Sequence, residues 1–363
     1  MATTKIQGVR IAGIASAVPN TVSAVADAAD KFGAEDIQKI IKSTGVERRH
    51  VAAPKLCCSD LCYAAAKRLL DDLKWDPASV DGLIFVSQSF DFPCVPATSC
   101  ILQMRLGLPK SAAVFDLVLG CSGHVYASWV AANLLAASGL SRVLVLAGDV
   151  ATRGVSPLDR STALLFGDGG SATALEKDGN APPLAFVLGT DGTGWKNLIM
   201  PTGIQSARHP RNETTAVRQK AEANNWRSQD ELFMDGTEIF AFTIREVPTL
   251  ISNVLAASGW TRDEVDYFVF HQANKFMLTH LAKSMKLPLP KVPFSLKEYG
   301  NTSSASIPIT INSELGEAIR TRPLKLLMAG FGVGYSWGAC TATCGPLVTP
   351  PVILVDESEA WQC

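Results

Sequence analysis

The sequence predicts an α/β protein built as two halves related by a pseudo-twofold. Three observations predict it. First, Trp75–Gln88 runs in parallel with Trp260–Ala273, at an offset of 185 residues, and in each the motif Val-Asp opens a strand-like apolar run. Second, Leu144–Gly148 echoes Leu326–Gly330 at an offset of 182 residues. Third, helical and strand periods alternate in the same order in both halves, which implies largely buried sheets.

The elements follow in order. Ala64–Leu73 carries a helical apolar pattern, and the run through Phe85 reads as a buried strand. Phe115–Leu119 is a further strand, with a tight turn at Gly120-Cys121 and an uncharged helix beyond it. Leu144–Gly148 and Gly167–Leu175 complete the first half, placed at 1–176. The second half, 177–363, repeats the scheme with Val247–Ala257 as helix and a strand ending at Phe270. A turn at Tyr299–Ser303 then leads into a helix, and the strand-like runs Leu326–Gly330 and Gly334–Cys344 follow. Pro201–Glu231 is polar and reads as a surface insertion, either a mobile lid or a solvated loop with a polar helix. A site between two such halves is expected, because ligands favour interfaces of this kind.

Composition narrows the class. The 363 residues predict about two domains. Charged residues make up 18 %, below the typical share of about 25 %, and this excludes a disordered chain. The net charge is −1, so nothing global favours nucleic acid or an anionic membrane. Leu117–Leu140 lacks Lys, Arg, Asp and Glu and is long enough to cross a bilayer. Its Gly, Ser, His and Asn residues favour a helix buried within protein instead. Nine cysteines, an odd number, sit mostly in apolar runs behind no secretory signal. A reducing, cytoplasmic setting is expected. Neither Cys57/Cys58/Cys62 nor Cys340/Cys344 has the partners for a tetrahedral site, so no metal is expected.

Cys121 is the nucleophile candidate. At a helix N-terminus the dipole and unpaired N–H groups favour a thiolate, and a buried structural cysteine is the alternative. His124 shares a helical face with Cys121 and reads as a base or, more simply, as a core histidine. His271 ends a buried strand, a position where α/β sheets carry function. Asn301 lies in the turn at the place equivalent to Cys121, and reads alone as a cap residue or a site residue. Gly330–Gly338 is a glycine-rich turn between strands that offers a backbone N–H to an oxyanion. It lacks the context of a phosphate loop.

Taken together the motifs resemble the ketoacyl-acyl-carrier-protein synthase III branch of the thiolase-like superfamily. They are Ser43–His50, Gly120-Cys121-Ser122-Gly123, Asp159–Thr162, Phe166–Gly169, His271–Asn274, Gly300–Ser303 and Phe331–Gly334. The resemblance spans nearly the whole chain. It implies a thiolase-like duplicated α/β/α/β/α fold, a homodimer, and a triad of Cys121, His271 and Asn301. It implies that Cys121 takes an acyl group, that malonyl on acyl carrier protein enters next, and that His271 and Asn301 stabilise the enolate left by decarboxylation. The backbone N–H groups of Cys121 and Val333 would form the oxyanion hole. No cofactor is implied beyond the thioester substrates. An acyltransferase that passes the acyl-Cys121 group to another nucleophile is the alternative, and a non-catalytic subunit is a third reading that the intact triad disfavours.

Departures from the family pattern bear on substrate. Lys39 and Ser43 stand where better-known members clasp the CoA adenine with Trp and Arg. Phe276 replaces a further family Arg, whereas Arg153 and Asn274 are retained as substrate-binding candidates. Val95 occupies the place of the partner-subunit Phe that floors the acyl pocket, which suits a chain longer than acetyl. Val333 stands at a usual Gly, and His124 at a usual aromatic.

Overall fold

The computed structural model describes residues 1–93, 95–203 and 208–362. Two mixed sheets form, each with a helical layer outside and a shared pair of helices between them. The first sheet has the strand order Ile353–Val355, Val9–Pro19, Gly169–Lys177, Arg142–Asp149, Gly82–Val86 and Ala113–Leu117. The second has the order Ala2–Ile6, Leu184–Thr190, Ser336–Cys344, Leu324–Gly332 and Tyr267–Phe270. The two echoes seen in the sequence are equivalent strands of these sheets. Gly82–Val86 pairs in parallel with Arg142–Asp149, and Tyr267–Phe270 with Leu324–Gly332.

Helices Gly123–Ala137 and Ser306–Thr321 lie between the sheets and touch both. That position explains why the first carries no charge: most of its residues are buried, and Tyr126, Trp129, Val130 and Leu134 pack partly buried against the same core. The uncharged run Leu117–Leu140 is thereby resolved as a strand end, a turn and an internal helix. Val125, Ala131, Leu135, Ile307, Ile311 and Leu315 meet there in one core. Cys58–Leu73 covers the outer face of the first sheet. Gly236–Ser258 covers the outer face of the second, burying Ile239, Phe242, Val247, Leu250 and Val254. Asp235 caps this helix by accepting from the N–H groups of Thr237 and Glu238, and Gly259 at φ 79° ends it. Among the described residues it is the one helix long and apolar enough to cross a membrane, and it packs its apolar face on the sheet.

The halves divide near Lys177 but trade their terminal strands. Ala2–Ile6 pairs with Leu184–Thr190 in the second sheet, and Ile353–Val355 pairs with Val9–Pro19 in the first. A boundary drawn at 176/177 does not describe this exchange, because a short terminal strand carries no periodic signal of which sheet it joins.

The polar insertion springs from a hairpin formed by Leu198–Ile199 and Phe233–Met234. The expected polar helix is not there among the described residues: Glu222–Asn224 forms only a single 3-10 turn, broken by Ala223 at φ 53°. Ion pairs tie the insertion down instead. Arg227 meets Asp159 at 2.7 Å and Arg218 meets Glu231 at 2.5 Å. Residues 204–207 of this segment lie outside the described residues.

Candidate active site

Cys121 sits in the turn between the strand Ala113–Leu117 and the internal helix Gly123–Ala137. The Gly123 N–H donates to the Gly120 carbonyl at 2.7 Å and closes that turn. Two glycines of the facing half make room for it. A Cβ on Gly332 would lie 2.8 Å from Cys121 Sγ, and one on Gly330 would lie 2.5 Å from the Cys121 carbonyl oxygen. Only glycine permits the strand Leu324–Gly332 to approach the turn this closely.

His271 follows the strand Tyr267–Phe270, and its N–H donates to the Ala329 carbonyl at 2.8 Å. Its Nδ1 lies 2.8 Å from Ser306 Oγ, which in turn donates to the Ser303 carbonyl at 2.8 Å. Phe331 meets the imidazole edge-on, with centroids 5.9 Å apart. These contacts fix the ring and leave Nε2 for a substrate. Burial pushes the His271 pKa down to about 4, against the opposing pull of the Ser303 carbonyl. The ring is therefore neutral at neutral pH.

Asn301 is pinned by its backbone. Its N–H donates to Leu165 and its carbonyl accepts from Gly167, so a strand-like bridge ties it to the first half. The side-chain Oδ1 accepts from the Ser303 N–H at 2.9 Å. That contact consumes the acceptor and leaves the Nδ2 donors free to serve a substrate oxygen.

Cys121, His271 and Asn301 line one cavity, so the triad inferred from sequence meets across the seam of the two halves. Leu165, Phe166, Leu198, Met234, Ile239 and Met277 make its walls apolar. Leu198 and Met234 belong to the hairpin at the base of the insertion, which places that segment at the cavity edge. The expectation of a preformed thiolate needs correction. Burial pushes the Cys121 thiol up to about 12, and the nearby Asp149 carboxylate adds to this. Hydrogen bonds from the Val333 N–H, the Ser303 hydroxyl and its own N–H oppose the rise without cancelling it. The resting group is a thiol, and its proton must leave during attack.

Val333 follows Gly332, where a Cβ would lie 2.8 Å from the sulfur, so the expected oxyanion donors Val333 and Cys121 flank the nucleophile. Ser336 Oγ donates to the Val333 carbonyl at 2.9 Å and lies 2.7 Å from Ser122 Oγ, bracing the glycine-rich turn against the Cys121 turn.

The remaining candidates divide. His124 does not join the site: its Nε2 lies 3.0 Å from Thr173 Oγ1, and burial lowers its pKa to about 4. The core reading holds for it. Asn274 lines the cavity, with Oδ1 accepting from the Met277 N–H at 2.7 Å to cap the helix Lys275–Ser284. Phe276 is 60 % exposed and stacks on Phe240 outside the cavity wall. Arg153 Nη2 donates to the carbonyls of Ala53, Pro54 and Leu56. Val95 is 77 % exposed and does not reach this chain's own cavity. Two motif acids are structural: Asp159 pairs with Arg227, and Asp168 accepts from Ala52 and Thr152. Ser303 and Ser306 escaped notice as site residues. Their signal was a run of hydroxyls just after Asn301 in a sequence too apolar to keep them there for solubility.

A duplicated five-layer fold with a cysteine, a histidine and an asparagine converging at its seam defines a condensing enzyme of the thiolase-like class. Residues 115–192 match the 3-oxoacyl-acyl-carrier-protein synthase III family model, and residues 255–344 match the model of that enzyme's C-terminal part. The fold is similar to a crystal structure of 3-oxoacyl-(acyl-carrier protein) synthase from Burkholderia xenovorans, with a TM-score of 0.91 and 42 % identity over 98 % of this chain and 99 % of that one. A Pseudomonas aeruginosa 3-oxoacyl-(acyl carrier protein) synthase III gives a TM-score of 0.80 and 30 % identity over 94 % of this chain and all of that one (100 %). A Desulfitobacterium hafniense beta-ketoacyl-acyl-carrier-protein synthase III is 34 % identical over 336 residues, covering 91 % of this chain and 96 % of the relative. The chain belongs to the 3-oxoacyl-acyl-carrier-protein synthase III family.

Proposed function

We propose that the protein catalyses a decarboxylating Claisen condensation between an acyl thioester and malonyl-acyl carrier protein. The convergence of Cys121, His271 and Asn301 on one largely apolar cavity carries this reading. The thiol of Cys121 attacks the acyl carbonyl, and its proton passes through His271 to the departing thiolate. The malonyl C–carboxylate bond then breaks. Carbon dioxide leaves, and the electron pair remains as an enolate whose oxygen is held by Asn301 Nδ2 and His271. The carbanion attacks acyl-Cys121. The tetrahedral oxyanion rests on the N–H groups of Cys121 and Val333, then collapses to release the Cys121 sulfur as a thiolate, which takes up one proton from solvent to regain the resting thiol. The Ser306 hydroxyl accepts from Nδ1 while it donates to the Ser303 carbonyl, and donates to Nδ1 once it rotates off that carbonyl. His271 can thus present Nε2 as acceptor in the first half-reaction and as N–H in the second. The scheme needs no metal or redox cofactor, and the reducing cytoplasm suits a free catalytic thiol.

Incubation with an acyl donor and malonyl-acyl carrier protein tests it. Intact mass should show the acyl group on Cys121, followed by its loss with one equivalent of carbon dioxide. A stable acyl-Cys121 without carbon dioxide release would overturn the condensation and favour transfer to another nucleophile. Lys39, Ser43 and Phe276 remove the family's clasp on CoA, and this supports a carrier-bound acyl donor.

The working unit in this reading is a homodimer. Ala113–Leu117 is an edge strand of the first sheet, and Val118, Met104 and Val95 are exposed around it at 70, 56 and 77 %. A second copy laid against that edge would cover them and bring Val95 to the partner's acyl cavity. Val95→Phe should then shift relative kcat/KM toward shorter acyl donors by about tenfold. Unchanged ratios across a donor series would count against Val95 flooring the pocket.

A further inference from the structure

Asp149 is a buried acid for which the scheme above has no use. It ends the strand Arg142–Asp149 and is 2 % exposed. Among the described residues it has no ion-pair partner. Its two oxygens divide their contacts between the two halves of the molecule. Oδ1 accepts from Gln88 N–H at 2.7 Å, Ser87 Oγ at 3.1 Å and Ser89 Oγ at 3.4 Å, all in the loop after Gly82–Val86. Oδ2 accepts from Ser304 Oγ at 3.0 Å and Ser304 N–H at 3.4 Å. Each of these partners donates. Two of these partners, the Gln88 and Ser304 N–H groups, can only donate, which favours the carboxylate against the burial that pushes its pKa up.

Ser304 belongs to the same short turn as Asn301 and Ser303. Ser303 takes φ +50°, a left-handed conformation costly for any residue with a Cβ. Its N–H holds Asn301 Oδ1 and its carbonyl receives the Ser306 hydroxyl that fixes His271. The turn thus sets two members of the triad at once, and something must hold it in its strained form.

We propose that Asp149 is a positioning residue for condensation: its carboxylate anchors the Asn301 turn of one half to the strand end beside Cys121 in the other. The inference rests on the condensing reading. It makes acyl loading and condensation separable in degree, because loading draws on only one of the two residues the turn sets, His271, whereas enolate stabilisation draws on both His271 and Asn301. The carboxylate also bears on the thiols it faces. These are Cys121 and, through Ser87 Oγ at 3.7 Å, Cys58. Negative charge on Asp149 disfavours the thiolate.

Asp149→Asn and Ser304→Ala test this in the full-length protein, with thermal melts to confirm folding. In Asp149→Asn the new amide must turn N–H groups toward one set of donors. Condensation should fall about 100-fold while acyl loading falls less than about tenfold. Ser304→Ala removes one donor to the carboxylate and leaves its charge. It should slow condensation about tenfold and leave loading unchanged. Iodoacetamide alkylation of Cys121, followed by peptide mass spectrometry at mildly alkaline pH, should run about tenfold faster in Asp149→Asn and unchanged in Ser304→Ala. A general loss of structure would instead slow loading and condensation together. Parallel losses, or wild-type condensation in both variants, would overturn the proposal. If the wild type itself loads without condensing, the parent reading falls. An unaltered Cys121 alkylation rate in Asp149→Asn would then dismiss any bearing of Asp149 on the nucleophile.

Discussion

Cys121→Ala is expected to give a folded protein that captures no acyl group. The side chain is small, buried and not part of the main hydrophobic packing, so alanine should fit the same turn. Its chemistry cannot be replaced from nearby. Gly332 and Gly330 bring the facing strand against the turn, and the nearby hydroxyls of Ser303 and Ser306 are weaker nucleophiles than a thiol and are held in the Asn301 turn. His124, the nearest alternative in sequence, is committed to Thr173 in the interior. Turnover should drop roughly ten-thousand-fold or more. Intact mass spectrometry after exposure to an acyl donor checks the assignment directly, since the variant should show no added mass. Retained condensation would mean that the nucleophile lies elsewhere.

Asn301→Ala should separate the two half-reactions. Asn301 Oδ1 is held by the Ser303 N–H, so the side chain presents donors, not acceptors, to the cavity. A donor is of little use to the attack of a thiol but is needed when a carboxylate's electron pair becomes an enolate. Loading of Cys121 should therefore persist while condensation falls about 10² to 10³-fold, the usual effect of losing one oxyanion donor. Rapid-quench measurement of acyl-enzyme against carbon dioxide release reads both steps. Equal losses in the two would show that Asn301 shapes the cavity and does not act on the enolate. Backbone contacts to Leu165 and Gly167 should hold the turn in place in this variant.

The fold was legible where periodicity is strong. The two echoes placed equivalent strands, and the uncharged run after Cys121, diluted by Gly, Ser, His and Asn, implied a helix buried within protein. Cys121, His271 and Asn301 were legible from their motifs because each closes a strand or turn at a matching place in its half. Three things were not legible. The ionisation of Cys121 depends on burial and on Asp149 as well as on the helix terminus, and local sequence reveals only the last of these. The hydroxyl network of Ser303, Ser304 and Ser306 depends on a left-handed residue that no glycine announces. The terminal strands are three and five residues long, too short for a period to declare a sheet partner.

The exchange of those terminal strands has a consequence for how the chain reaches its native state. The first sheet lacks its outer strand until residues 353–355 are made, and the second sheet recruits a strand made long before its partner Leu184–Thr190. Neither half can therefore complete its hydrogen-bond ladder as an autonomous unit. Closing loops of this length makes folding slow and leaves open strand edges exposed while the chain grows. The same arrangement makes the ends interlock like clasped hands. Fraying at either terminus uncovers the opposite half, so damage at one end is felt by the sheet that carries the other half of the catalytic seam.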